Sequence, residues 1–148
     1  MSQYSQLFQV IKLRVFRNNQ YPISKSLSNP LDTRAKQLLY RTCQIFTLEC
    51  ILHEYRKHLS ADYYLLDNEK ALHHLVFEMT KWKPSEIKEL SFKDILFVIS
   101  SQLKLSHMPE EAAKLLLSFD LPEGRFPVDD LSDEDWYPIE NSVFLCNE

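Results

Sequence analysis

Apolar residues recur at helical spacing through most of the chain up to residue 118. Leu72, Leu75, Val76 and Met79 stand at i, i+3, i+4 and i+7, one face of a 3.6-residue period. With Asp67 as a cap and Pro84 as a stop, this stripe predicts a helix running to about Trp82. Phe92, Ile95, Leu96, Ile99 and Leu103 form a second stripe, read as a helix over Phe92–Lys104. Ser91 and Asp94 open it as a capping box with Asp in the place of Glu. Pro109 before Glu110 and Glu111 starts a further helix, to about Ser118: proline gives up a donor that the first turn does not use, and acids suit the positive end of the dipole.

The longest element is predicted over Asp32–Leu59, with Asp32 as N-cap. Leu38, Leu39, Ile45, Phe46, Leu48, Ile51 and Leu52 cover much of its circumference, as expected of a helix inside a bundle. Gln3–Arg17 supports two periods. Tyr4, Leu7, Phe8, Ile11 and Val15 fall at helical spacing, while Ile11, Leu13 and Val15 alternate with Lys12 and Arg14 as in a strand; length favours helix. As a strand it would pair with Ser142–Cys146. Asn18–Pro30 reads as a loop, Asp62–Leu66 as a short turn and Ser85–Leu90 as about two helical turns.

From Asp120 the pattern changes. Pro122, Gly124, Pro127 and Pro138 break long elements, yet Phe126, Leu131, Trp136, Tyr137, Ile139, Val143, Phe144 and Leu145 are too apolar for a free tail. The expectation is an ordered segment wrapped on the bundle, with a helical turn at Ser132–Trp136. The predicted fold is all-α: one domain, residues 1–148, an irregular bundle of five to six helices (body 1–119) with an acidic C-terminal segment (120–148).

Composition narrows the chemistry. A chain of 148 residues with 45 % hydrophobic residues can bury a core without disulfides or metals. Gly124 is the single glycine. Glycine-rich phosphate loops and dinucleotide fingerprints are therefore absent, and a many-stranded fold is disfavoured. No apolar run is long enough to span a bilayer, and Lys12 and Arg14 interrupt what would be a signal peptide. Cys43, Cys50 and Cys146 read as reduced thiols of a cytoplasmic protein. On one helix Cys43 and Cys50 lie roughly 10 Å apart, beyond disulfide reach.

Candidate catalytic groups are weak. His53, Glu54 and His58 form HExxxH, one residue longer than the zinc-protease spacing, so the two imidazoles diverge by roughly 140°. These histidines read as surface residues near a helix end. His73 and His74 point apart, with Glu69 and Glu78 at i, i+4 contact distance. Cys43 and Cys50 lie in the most apolar helix, where thiols are inert. No catalytic residue, metal or cofactor is assigned. A small helical enzyme acting on a phosphorylated metabolite stays an alternative; it predicts a deep pocket lined by His73, Glu69 or Arg41.

Charge is distributed unevenly. Pro109–Glu148 holds eleven acidic residues and two basic ones, whereas Met1–Met108 carries fifteen basic and ten acidic. Arg14, Arg17, Lys25, Arg34, Lys36 and Arg41, near Tyr21 and Tyr40, offer a basic face to a nucleic acid, or are simply solvated helix faces. A helix-turn-helix over Phe92–Ser118 would lead its second helix with Glu110 and Glu111, which phosphates repel. The acidic segment is the leading candidate. Asp129, Asp130, Asp133, Glu134 and Asp135 cluster beside Trp136, with Glu110, Glu111 and Glu140 as outer charges. Carboxylates steer association and an aromatic supplies anchor area, which together suit a basic protein partner. In small size, acidity, helical content and lack of catalytic motifs the chain is similar to acidic helical immunity proteins and antitoxin-type neutralising proteins. The similarity is one of class and carries no residue across. It implies a non-catalytic inhibitor of a basic, toxin- or nuclease-like partner.

Overall fold

Helix α3, Thr33–His58, is the axis of the fold. The computed structural model describes residues 2–28, 32–59, 65–119, 121 and 124–145, with backbone only at 26 and 27. Before α3 come α1 (Gln3–Asn18) and α2 (Ile23–Ser28); after it come α4 (Glu69–Thr80), α5 (Pro84–Lys88), α6 (Phe92–Val98), α7 (Glu110–Ser118) and α8 (Pro138–Asn141). Among the described residues, 3-10 turns lie at Ser100–Gln102, Leu105–His107 and Asp133–Asp135. The fold is all-α, and no strand occurs among the described residues.

Asp32 starts α3 as expected: its carboxylate accepts the Arg34 N–H at 3.0 Å. It also accepts the Tyr21 hydroxyl, which holds Asp32 below the usual carboxylate range and pushes Tyr21 up to about 12. The apolar girth of α3 has a physical reason, because the helix serves two cores. Leu38, Ile45, Phe46 and Cys50 meet Leu7, Phe8, Ile11 and Val15 of α1, together with Ala112 and Leu116 of α7. Phe8 stands edge-on to Phe46 at 5.4 Å. Leu48 and Leu52 meet Leu72 and Val76 of α4, Ile87 of α5, and Ile95 and Leu96 of α6. Each large side chain buried in this way stabilises by roughly 1.5–3 kcal/mol, so both cores rely on α3.

Several boundaries differ from expectation. Residues 3–18 are helix, which removes the strand alternative, and residues 142–145 turn rather than extend; Cys146 lies outside the described residues. The expected 18–30 loop contains α2, where Pro22 accepts from the Lys25 N–H and sets the first turn. Asn68, at φ 51°, stands at the N-cap of α4 in place of Asp67, and Lys81 in the left-handed region ends that helix before Trp82. Ser91 caps α6 through the Asp94 N–H at 3.1 Å. The helix stops at Val98 instead of Lys104. The β-branched pair Val98-Ile99 and then Ser100-Ser101 favour helix weakly, and the backbone tightens to 3-10. Of the expected 62–66 turn, residues 62–64 lie outside the described residues.

Candidate functional site in the C-terminal segment

The acidic segment is ordered by an alternation of inward and outward side chains. Val128 and Leu131 are buried, and the Leu131 N–H donates to the Val128 carbonyl at 3.2 Å, closing a turn. The two residues between them, Asp129 and Asp130, are exposed. Ser132 then caps the 3-10 turn, accepting the Glu134 N–H at 3.1 Å. Asp133 and Glu134 face solvent, while Asp135 is fully buried.

Two arginines receive the buried half. Arg41 of α3 pairs with Asp135 at 3.1 Å and donates to the Ser132 carbonyl, also at 3.1 Å. Asn18 donates to the other Asp135 oxygen at 3.0 Å. Arg14 of α1 donates to the Asp135 carbonyl at 3.2 Å, to Glu140 at 2.5 Å and to Asn141 Oδ1 at 2.7 Å. Trp136 stacks on Phe92 with ring centroids 5.0 Å apart, and its indole N–H donates to Glu49. Burial pushes the Glu49 carboxyl above its ordinary value, against the pull of the Trp136 hydrogen bond and of Arg56.

These contacts revise part of the expected docking surface. Asp135 is enclosed by its own chain, Trp136 is an internal anchor between the two cores, and Glu140 is tied to Arg14. The Asp135 carboxylate and the Trp136 ring are therefore committed inside the molecule, while Glu140 stays half-exposed and is held by Arg14. Glu110 and Glu111 stand on the first turn of α7, exposed, with Glu110 paired to Lys114 at 3.1 Å. Asp129, Asp130, Asp133 and Glu134 form a carboxylate arc on two consecutive turns, and among the described residues none of the four makes an ion pair.

One exposed aromatic adjoins the arc. Phe97 is 82 % exposed on helix α6. It lines a hollow of about 160 Å³ shared with Asp129, Val128, Lys93 and Arg41. The sequence carries a signal for it: Phe97 falls off the stripe Phe92, Ile95, Leu96 and Ile99, so the helix turns a large ring away from the core.

The other candidates also move. Arg14 and Arg41 are buried and leave the proposed basic face, whereas Arg17, Lys25 and Arg34 remain exposed. His53 is buried rather than superficial, and burial lowers its pKa; His58 is exposed and bonds Glu54 at 3.1 Å. His74 pairs with the Tyr55 hydroxyl at 2.7 Å rather than with Glu78, which holds Lys81. Burial pushes the Cys43 thiol up to about 12 and the Cys50 thiol well above its ordinary value, so neither is a thiolate at neutral pH. No three potential ligands converge on a metal position among the described residues, and none of the described helices is long and apolar enough to cross a membrane.

The class defined by this geometry is an all-α protein whose helices α1 and α3 hold the C-terminal segment through the buried Arg14 and Arg41. No family model matches the sequence, and no curated protein or solved structure resembles it at a significant level.

Proposed function

We propose that the protein is a non-catalytic protein-binding module that docks a basic partner through Asp129, Asp130, Asp133 and Glu134, with Phe97 as the apolar anchor. One observation carries this reading. Exposed carboxylates alternate with the buried anchors Val128, Leu131 and Asp135, so the charge is held on a fixed scaffold and not on a loose tail. A scaffold of this kind lowers the ordering cost of binding, which is where affinity is lost in flexible segments. The charge raises the association rate and the ring lengthens the residence time. The narrowest form of the proposal is an inhibitor of immunity type in the cytoplasm, covering the nucleic-acid-binding surface of a toxin- or nuclease-like protein.

The test begins with capture from the native host, which is expected to recover a basic protein. Against that protein, changing Asp129, Asp130 and Asp133 to Asn and Glu134 to Gln together lowers the on-rate at least about tenfold at low salt, and less as salt rises. Phe97→Ala speeds dissociation and leaves the on-rate unchanged. Recovery of nucleic acid instead, or an on-rate indifferent to the four changes, defeats the reading.

A further inference from the structure

A second concavity stands apart from the carboxylate arc. It lies between α4 and α5, holds about 400 Å³, and has walls that are mostly carbon: Leu66, Phe77, Pro84 and Ile87. That volume is within the range of small-ligand sites, which are apolar with a few placed polar groups. The polar groups here are all basic: Lys70, Lys88, His73 and His74. No acidic side chain is among the described residues of the lining. Asp67 pairs with Lys70 at 3.8 Å. Glu69 and Lys88 both act on His73, in opposite senses, and burial lowers its pKa most of all. Among the described residues Lys88 forms no ion pair. The His74 ring is fixed by the Tyr55 hydroxyl at 2.7 Å, so this wall does not reorganise freely.

An apolar trough with the Lys88 ammonium at its rim selects one kind of molecule. A sugar phosphate would leave the carbon wall wet, and an uncharged hydrocarbon would leave Lys88 without a counter-ion. We infer that the α4–α5 cavity binds a small amphipathic anion, a medium-chain acyl carboxylate, with its chain against Leu66, Phe77 and Ile87 and its carboxylate at Lys88 and His73. This site is independent of the carboxylate arc: it shares no residue with it, and the chemistry it recognises is of the opposite sign.

The experiment is a titration of the full chain with decanoate below its micelle concentration, followed by amide NMR and calorimetry. Saturable one-to-one binding is expected, with shifts centred on α4 and α5. Octanoate binds more weakly by about fourfold for each methylene removed from the wall. Decylammonium binds at least about tenfold more weakly than decanoate, because the basic rim repels it. Lys88→Glu, an exposed change that spares the fold, lowers decanoate affinity at least about tenfold and leaves decanol unaffected. Equal affinity for decanoate and decylammonium, shifts centred elsewhere, or no saturable binding overturns the inference. So does a dimer of the free chain that Lys88→Glu dissolves, since the cavity would then hold a second copy. None of these results bears on the on-rate test of the arc, so the two proposals fail separately.

Discussion

Asp133 and Asp135 stand two residues apart on one 3-10 turn, and the fold treats them in opposite ways. Asp133 is exposed, whereas Asp135 is enclosed, bonded to Arg41 at 3.1 Å and to Asn18 at 3.0 Å. The same residue type in the same local structure thus does two jobs, set by which way the turn faces. Burying an ion pair removes two charges from water at a cost of several kcal/mol per ion, which the pair's attraction and hydrogen bonds roughly return. Arg14 Nε, buried without a hydrogen-bond partner among the described residues, adds to that cost. The net drive for docking the segment is therefore apolar, from Val128, Leu131, Leu145 and Trp136. The arginines set its register.

The contrast between the inner and outer acids is most severely tested at Arg41. Arg41→Ala leaves the buried Asp135 carboxylate without its main counter-charge and is expected to destabilise by about 3–5 kcal/mol in urea unfolding. A loss below about 1 kcal/mol would mean that Asp135 is not enclosed as described. A middle-sized effect of the opposite sign is expected at Glu49. Its native carboxyl holds a proton more tightly than in the unfolded chain, where it titrates near 4.5. Its contribution to stability is thus full in acid and is lost as pH rises from 4.5 through the native value. Glu49→Gln keeps an oxygen for the Trp136 indole and removes the charge, so it should stabilise by about 1 kcal/mol at pH 7. That gain fades below pH 4.5, as a pH series of denaturant midpoints would reveal. The smallest effect belongs to the outer acids: Asp133→Asn changes stability by less than about 0.5 kcal/mol. A larger shift would show that the arc, too, is structural.

Much of the fold was legible in the sequence because helical stripes and caps are local. The stripe Leu72, Leu75, Val76 needs only its own neighbours, and the Asp32 and Ser91 caps act within three residues. The ordered C-terminal segment was legible from its rings. Its internal pairing was not, because Arg14 and Asp135 are joined across 121 positions and no local period encodes that. A partial signal did exist. Arg14 follows Ile11 by three, and Arg41 follows Leu38 by three, so each arginine occupies the buried stripe of its own helix. A charge on such a stripe asks for a buried counter-charge. The inner and outer acids cannot be sorted by composition, since the division depends on a turn bracketed by Val128 and Leu131. The α4–α5 cavity was anticipated only through His73; its carbon walls come from helix packing.

The bonds from Arg14 to Glu140 and Asn141 span 126 and 127 positions. Helix α1 leaves the ribosome more than a hundred residues ahead of α8, so the Arg14 guanidinium has no lasting partner until residue 141 has followed. During that interval a charged side chain meant for the interior must stay hydrated, and the faces of α1 and α3 that the segment covers lie open. Non-local closure of this kind is slow compared with helix formation. The nascent chain is therefore most exposed to aggregation in the interval before residues 128–145 emerge, and a ribosomal stall within that interval would be the most damaging.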